Sequence, residues 1–84
     1  MNRQSVESSN IKAIGYDPVN RILEVEFGKD VEEGHPYNRL YQYFEIPAET
    51  HQALMSAPSH GEFLYWHIAY KFTYKYLGKL GDLE

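Results

Sequence analysis

The 84 residues predict an α+β domain: a three- to four-stranded antiparallel sheet with two short helices packed on one face. Two alternating apolar runs flank a turn signal, and a third alternating run ends at a proline. Two short stretches beyond it repeat their apolar residues every three or four positions. A period of two followed by periods near 3.6 is what a sheet backed by helices needs. The length suffices for one domain, taken as residues 1–82, which buries only ~60–65% of its unfolded surface and so has a thin core. Leu83-Glu84 reads as an expression-vector junction.

Residues 1–8 show no apolar period and read as a lead-in. From Ile11 to Tyr16, Ile11, Ala13 and Gly15 alternate with Lys12, Ile14 and Tyr16. Asp17-Pro18-Val19-Asn20 follows, where Pro18 presets φ for a type I turn and Asp17 can accept hydrogen bonds from the turn backbone. From Ile22 to Phe27, Leu23, Val25 and Phe27 oppose Glu24 and Glu26, which predicts a hairpin with one wet face. Gly28 to Asn38 has no period, contains Gly34 and Pro36, and reads as a surface loop that the fold can spare. In the third strand, Leu40 to Ile46, one face carries Tyr41, Tyr43 and Glu45. Leu40, Phe44 and Ile46 on the other face compete for the core, which leaves Tyr41 and Tyr43 toward the open side.

Pro47 suits the first position of a helix, where its missing N–H costs nothing. Thr50, Ala53, Leu54 and Ala57 recur at helical steps, and Pro58 stops the run. Ser59-His60-Gly61-Glu62 has capping-box spacing, so a second helix starts at Ser59. Phe63, Leu64, His67, Ile68 and Tyr70 or Lys71 mark its inner side. Beyond Lys71 two periods overlap. Phe72, Tyr76 and Leu80 at steps of four fit a helix, whereas Phe72, Tyr74 and Tyr76 alternating with Thr73 and Lys75 fit a strand. Tyr, Phe and Thr favour the strand, which would be the fourth.

The chain has no cysteine, which excludes disulfides and fits a reducing compartment. Residues 1–10 hold no apolar run, and nothing approaches the ~20 apolar residues of a membrane span, so a cytoplasmic chain without membrane contact is expected. The net charge of −4 is unevenly spread: the lysines of the last quarter, Lys71, Lys75 and Lys79, form its only basic part. No nucleophile elbow, phosphate loop or lone catalytic cysteine occurs, and no enzyme activity or catalytic residue is expected. His35, His51, His60 and His67 include no pair at one-turn spacing, so neither a metal nor a cofactor is expected.

Several short segments, in order and spacing, resemble the KTSC domain family. They are Ser9-Asn10-Ile11, Ile14-Gly15-Tyr16-Asp17, Leu23-Glu24-Val25-Glu26-Phe27, the central Tyr41-Gln42-Tyr43, Ile46-Pro47, Ala57-Pro58-Ser59-His60-Gly61, Phe63, Ile68 and Phe72-Thr73-Tyr74. This family occurs at the C-terminus of some lysyl-tRNA synthetases and as stand-alone bacterial proteins. The resemblance implies no assigned activity, and RNA binding only by analogy with the synthetase neighbour. The acidic segment from Gly28 to Arg39 is longer than the family's usual hairpin.

Two stretches are candidate ligand sites. Tyr41 and Tyr43, alternate residues of one strand, could stack two bases of single-stranded nucleic acid, or could simply pack. The tail from Tyr70 to Tyr76 interleaves rings with cations, and Lys71, Tyr74 and Lys75 are its candidates, although lysines on an edge strand also serve solubility. The expected function is a small non-catalytic interaction module, with RNA or single-stranded nucleic acid as one partner class. A protein partner or self-association is the other. A continuous positive face around Tyr41 and Tyr43 would favour the first, an apolar patch the second.

Overall fold

The computed structural model describes residues 2–8, 10–28 and 39–79; the expected loop at 29–38 lies outside them. The elements run β1 (Arg3–Ser5), β2 (Ile11–Asp17), β3 (Ile22–Phe27), β4 (Arg39–Tyr43), α1 (Ala48–Ser56), α2 (His60–His67) and β5 (Tyr74–Lys79). All strands join one antiparallel sheet in chain order, with both helices inserted between the neighbours β4 and β5. The α+β class holds, but the sheet has five strands rather than three or four.

The strand that sequence periodicity misses is β1. Arg3-Gln4-Ser5 has no apolar residue to alternate, yet it pairs with β2 from Arg3↔Gly15 to Ser5↔Ala13. Its side chains explain why. The Arg3 guanidinium donates from Nη1 to Glu24 at 2.7 Å and from Nε to Glu26 at 3.2 Å. The Gln42 amide donates to the other Glu24 oxygen at 3.0 Å. The expected wet face is therefore closed at Glu24, which is only 6% exposed.

The β2–β3 turn forms as its residues dictate. Asp17 Oδ1 accepts from the backbone N–H groups of Val19 and Asn20 at 3.0 and 3.2 Å. Arg21 takes a left-handed φ of 58° to bring the chain back into β3. Its carbonyl then accepts the Ile46 N–H at 2.9 Å.

β4 ends at Tyr43, not at Ile46. Phe44 N–H donates to the Thr73 carbonyl, and Glu45 is left-handed at φ 59°. That kink breaks the period of two, so Tyr43 and Ile46 both enter the core. The core joins Ile11, Ile14, Leu23 and Val25 of the sheet to Leu54, Leu64 and Ile68 of the helical layer. Of Thr50, Ala53, Leu54 and Ala57, the residues that recur at helical steps, Leu54 alone is buried, and Ala53 is exposed.

Pro47 sits one residue before the first helical turn, as the N-cap of α1. Ser59 caps α2: its hydroxyl accepts the Glu62 N–H at 3.2 Å. Ser59→Ala should lower stability by ~0.5–2 kcal/mol, because that donor loses its partner. Urea unfolding checks this, and an unmoved midpoint would contradict it. The two helices are tied by His60, whose Nδ1 lies 2.8 Å from the Leu54 carbonyl and, protonated there, donates to it. No helix among the described residues is long and apolar enough to cross a membrane.

Candidate functional site

The strand register decides where the candidate tyrosines point. Leu23 pairs with Tyr43 and Val25 with Tyr41 across β3–β4. Paired residues share a face, so Tyr41 and Tyr43 lie on the side that the helices cover. This overturns the expectation of an open face for both. Tyr43 is 5% exposed and belongs to the core, while Tyr41 packs half-buried against it. Burial, with the neighbouring Tyr41 and Tyr74 phenols, pushes the Tyr43 hydroxyl up to about 12.

β5 brings two more rings to the same side. Tyr41 pairs with Tyr76 and Tyr43 with Tyr74. Tyr41 is the hub, with ring centroids 4.9 Å from Tyr76, 5.9 Å from Tyr74 and 5.4 Å from Phe27. The Phe27 contact is edge-to-face at 89°, a favoured arrangement for two rings. The end of this cluster opens into a cleft of about 440 Å³ lined by Phe27, Arg39, Tyr41, Tyr43, Ala69, Tyr70 and Tyr74.

Of the residues expected at a site, Tyr41, Tyr43 and Tyr74 come together here. The two lysines do not. Lys75 pairs with Gln42, between the tyrosine pairs, so alternation places it on the opposite face, with Glu24. Lys71 is exposed in the turn after α2 and does not line the cleft. Among the described residues, the cation lining the cleft is Arg39, which is not among those expected at a site. Arg39 opens β4 and lies two residues from Tyr41, so same-face alternation could have flagged it.

A second group of rings lies on α2 and the turn after it. Tyr65 meets Trp66 at 5.0 Å and Tyr70 at 5.2 Å, both near-perpendicular. The hydrogen bond with Tyr65 pushes the Tyr70 phenol up. Trp66 is 66% exposed and Tyr70 75%. A further cleft of about 610 Å³ runs beneath this ridge and shares Phe27, Tyr43 and Ala69 with the first. Among the described residues, no group of three His, Asp or Glu is placed to hold a metal ion. The surface offers ring faces, phenol hydroxyls and one guanidinium, which suits recognition through contact area.

A small meander sheet with a helix pair inserted before its last strand defines the class. The chain belongs to the KTSC domain family, whose model matches residues 7–72. The crystal structure of a KTSC domain protein from Yersinia pestis superposes with a TM-score of 0.76 at 44% identity, covering 92% of this chain and 97% of that one. An uncharacterised protein of Stutzerimonas stutzeri is 41% identical over 61 residues, 73% of this chain and 75% of its own length. A lysine–tRNA ligase of Trichormus variabilis is 31% identical over 71 residues, 84% of this chain but 11% of the ligase.

Proposed function

We propose that the domain is a non-catalytic interaction module that takes a segment of a protein partner on the aromatic surface between α2 and the β4–β5 end of the sheet. The observation that supports this reading is the separation of cations from rings. A nucleic-acid groove needs positive charge beside its stacking platforms, because phosphate neutralisation supplies most of the affinity. Here Lys75 is on the other face, Lys71 is outside the cleft, and the adjoining cleft carries the carboxylate of Glu62. Among the residues described as lining the cleft, Arg39 is the one cation, and by itself it would neutralise about one phosphate, giving a log–log salt slope near −0.7 for a single strand. Tyrosine, tryptophan and a lone arginine are instead the residues that anchor protein interfaces.

Heteronuclear NMR titrations test the choice. Peptides selected on the domain from a random library should shift the amides of Arg39, Tyr41 and Tyr74, and Tyr74→Ala should abolish the effect. Mixed-sequence single-stranded RNA at about 100 μM should leave those amides unmoved, weaker than ordinary non-specific association. RNA shifts that weaken with salt and vanish in Tyr74→Ala would overturn the protein reading in favour of nucleic acid.

A further inference from the structure

We infer that the partner is a second copy of this chain, joined face to face in a two-fold dimer in which Trp66 of each copy enters the other's aromatic cleft. The inference rests on reading that surface as a protein interface. It starts from the exposed rings. Tyr65, Trp66, Tyr70, Tyr74 and Tyr76 are all at least 45% exposed. They adjoin one another: Tyr65 touches Trp66 and Tyr70, Tyr70 and Tyr74 line one cleft, and Tyr76 packs on Tyr41 of that cleft. Covering half of five such side chains would bury on the order of 500 Å² per copy. Doubled over two copies, that is near the lower bound of specific interfaces, and a patch of about 500 Å² is as large as the biggest a monomer ordinarily exposes, which is often a functional one.

Shape and charge both point to self-recognition. The face carries a ridge, Tyr65–Trp66, and a cleft beside it, so one copy supplies what the other lacks. The charges are placed asymmetrically along it. Glu62 lies one helical turn before Trp66, and both line the cleft under the ridge. Arg39 lines the other cleft, and Phe27, Tyr43 and Ala69 are common to the two. A two-fold axis through that shared middle lays the Glu62 end of one copy on the Arg39 end of the other. Such self-complementarity is the condition an isologous contact must meet, and a face with one sign at both ends would repel itself. Arg39 would then also meet the partner's indole, a favourable cation–π geometry.

The β5 edge of the sheet is a poorer route to association. β5 is an edge strand, but Lys75 is exposed on it, its pairing with β4 shifts register between Leu40 and Tyr41, and Gly78 takes φ 114°. Charge and irregularity of this kind discourage edge-to-edge pairing. The face remains.

Trp66 is the single tryptophan of the chain, so its emission reports this contact alone. Sedimentation equilibrium and Trp66 fluorescence are measured together from about 1 to about 500 μM, bracketing the micromolar dissociation expected of a ~1,000 Å² interface. The expected result is a monomer–dimer transition with a blue shift of emission at the same midpoint. Arg39→Glu and Glu62→Arg should each weaken the dimer at least about tenfold, and the double variant Arg39→Glu/Glu62→Arg should restore it. Circular dichroism confirms that each variant is folded. A chain monomeric at about 500 μM, a dimer whose midpoint the emission does not follow, or charge reversal without rescue overturns the inference. If the monomeric chain still binds library peptides on the cleft, the second-copy assignment alone falls. If it binds neither, the protein-interface reading falls with it.

Discussion

Tyr43→Ala is expected to cost about 3–5 kcal/mol, the range for truncating a buried aromatic side chain, and so much of the total stability of a domain this small. The ring is 5% exposed, pairs with Leu23 across β3–β4, and packs against Tyr41 and Tyr74. Tyr43→Phe separates the ring from its hydroxyl. It keeps the packing, so stability at neutral pH should stay within about 1.5 kcal/mol. The hydroxyl matters at alkaline pH. Its folded pKa is raised from 10.0 to about 12, which means the folded state favours the neutral phenol. That contribution is complete below about pH 10, where both states are protonated, and is lost as pH rises toward about 12 because the unfolded chain ionises first. The loss reaches at most about 3 kcal/mol and should be absent from Tyr43→Phe. Urea unfolding at neutral pH and near pH 11 measures both effects. A Tyr43→Ala cost under about 1 kcal/mol would mean the ring is a surface group. An alkaline loss unchanged in Tyr43→Phe would assign that loss to another residue.

Arg3→Ala is the second large effect, expected near 3 kcal/mol although Arg3 lies in a three-residue strand. Glu24 is held by Arg3 on one oxygen and Gln42 on the other, with its side chain 8% exposed. Removing the guanidinium leaves a buried carboxylate without its counter-charge, and breaks the Arg3–Glu26 ion pair as well. The same Glu24 hydrogen bond raises the Arg3 pKa, as expected for a cation stabilised in place. The lower end of the range applies because Arg3 itself is a quarter exposed. Arg3→Lys should recover only part, since an ammonium cannot reach both carboxylates as the fork does. Replacing the pair together, Arg3→Met with Glu24→Met, should recover most of the loss, because the cost comes from the unpaired charge. An Arg3→Ala midpoint within about 0.5 kcal/mol of the parent would show that β1 is not held this way.

Much of the fold was legible because it follows from local chemistry. The alternation of Leu23, Val25 and Phe27, the Asp17-Pro18 turn, the Pro47 and Ser59 helix starts and the strand propensity of Tyr74 and Tyr76 all act within a few residues of where they stand. The strand β1 was not legible, since its reason for pairing is a charge on β3 more than twenty residues away. The end of β4 was misread for a similar reason. Nothing about Glu45 announces a left-handed residue; it is required by Phe44 bonding to Thr73 and Ile46 to Arg21.

The sequence by itself determined the α+β class, the order of its main elements, the family to which the chain belongs and its richness in tyrosine. Only the tertiary structure decided which rings face which way. A strand shows its period but not its phase: either set of alternate residues can be the buried one until a neighbouring strand sets the register. Pairing Tyr43 with Leu23 turned the central tyrosines inward, and pairing Lys75 with Gln42 sent the expected cation to the far side of the sheet. Arg39 stands at the cleft in its place because its pairing with Phe27 puts it on the face of Tyr41 and Tyr43.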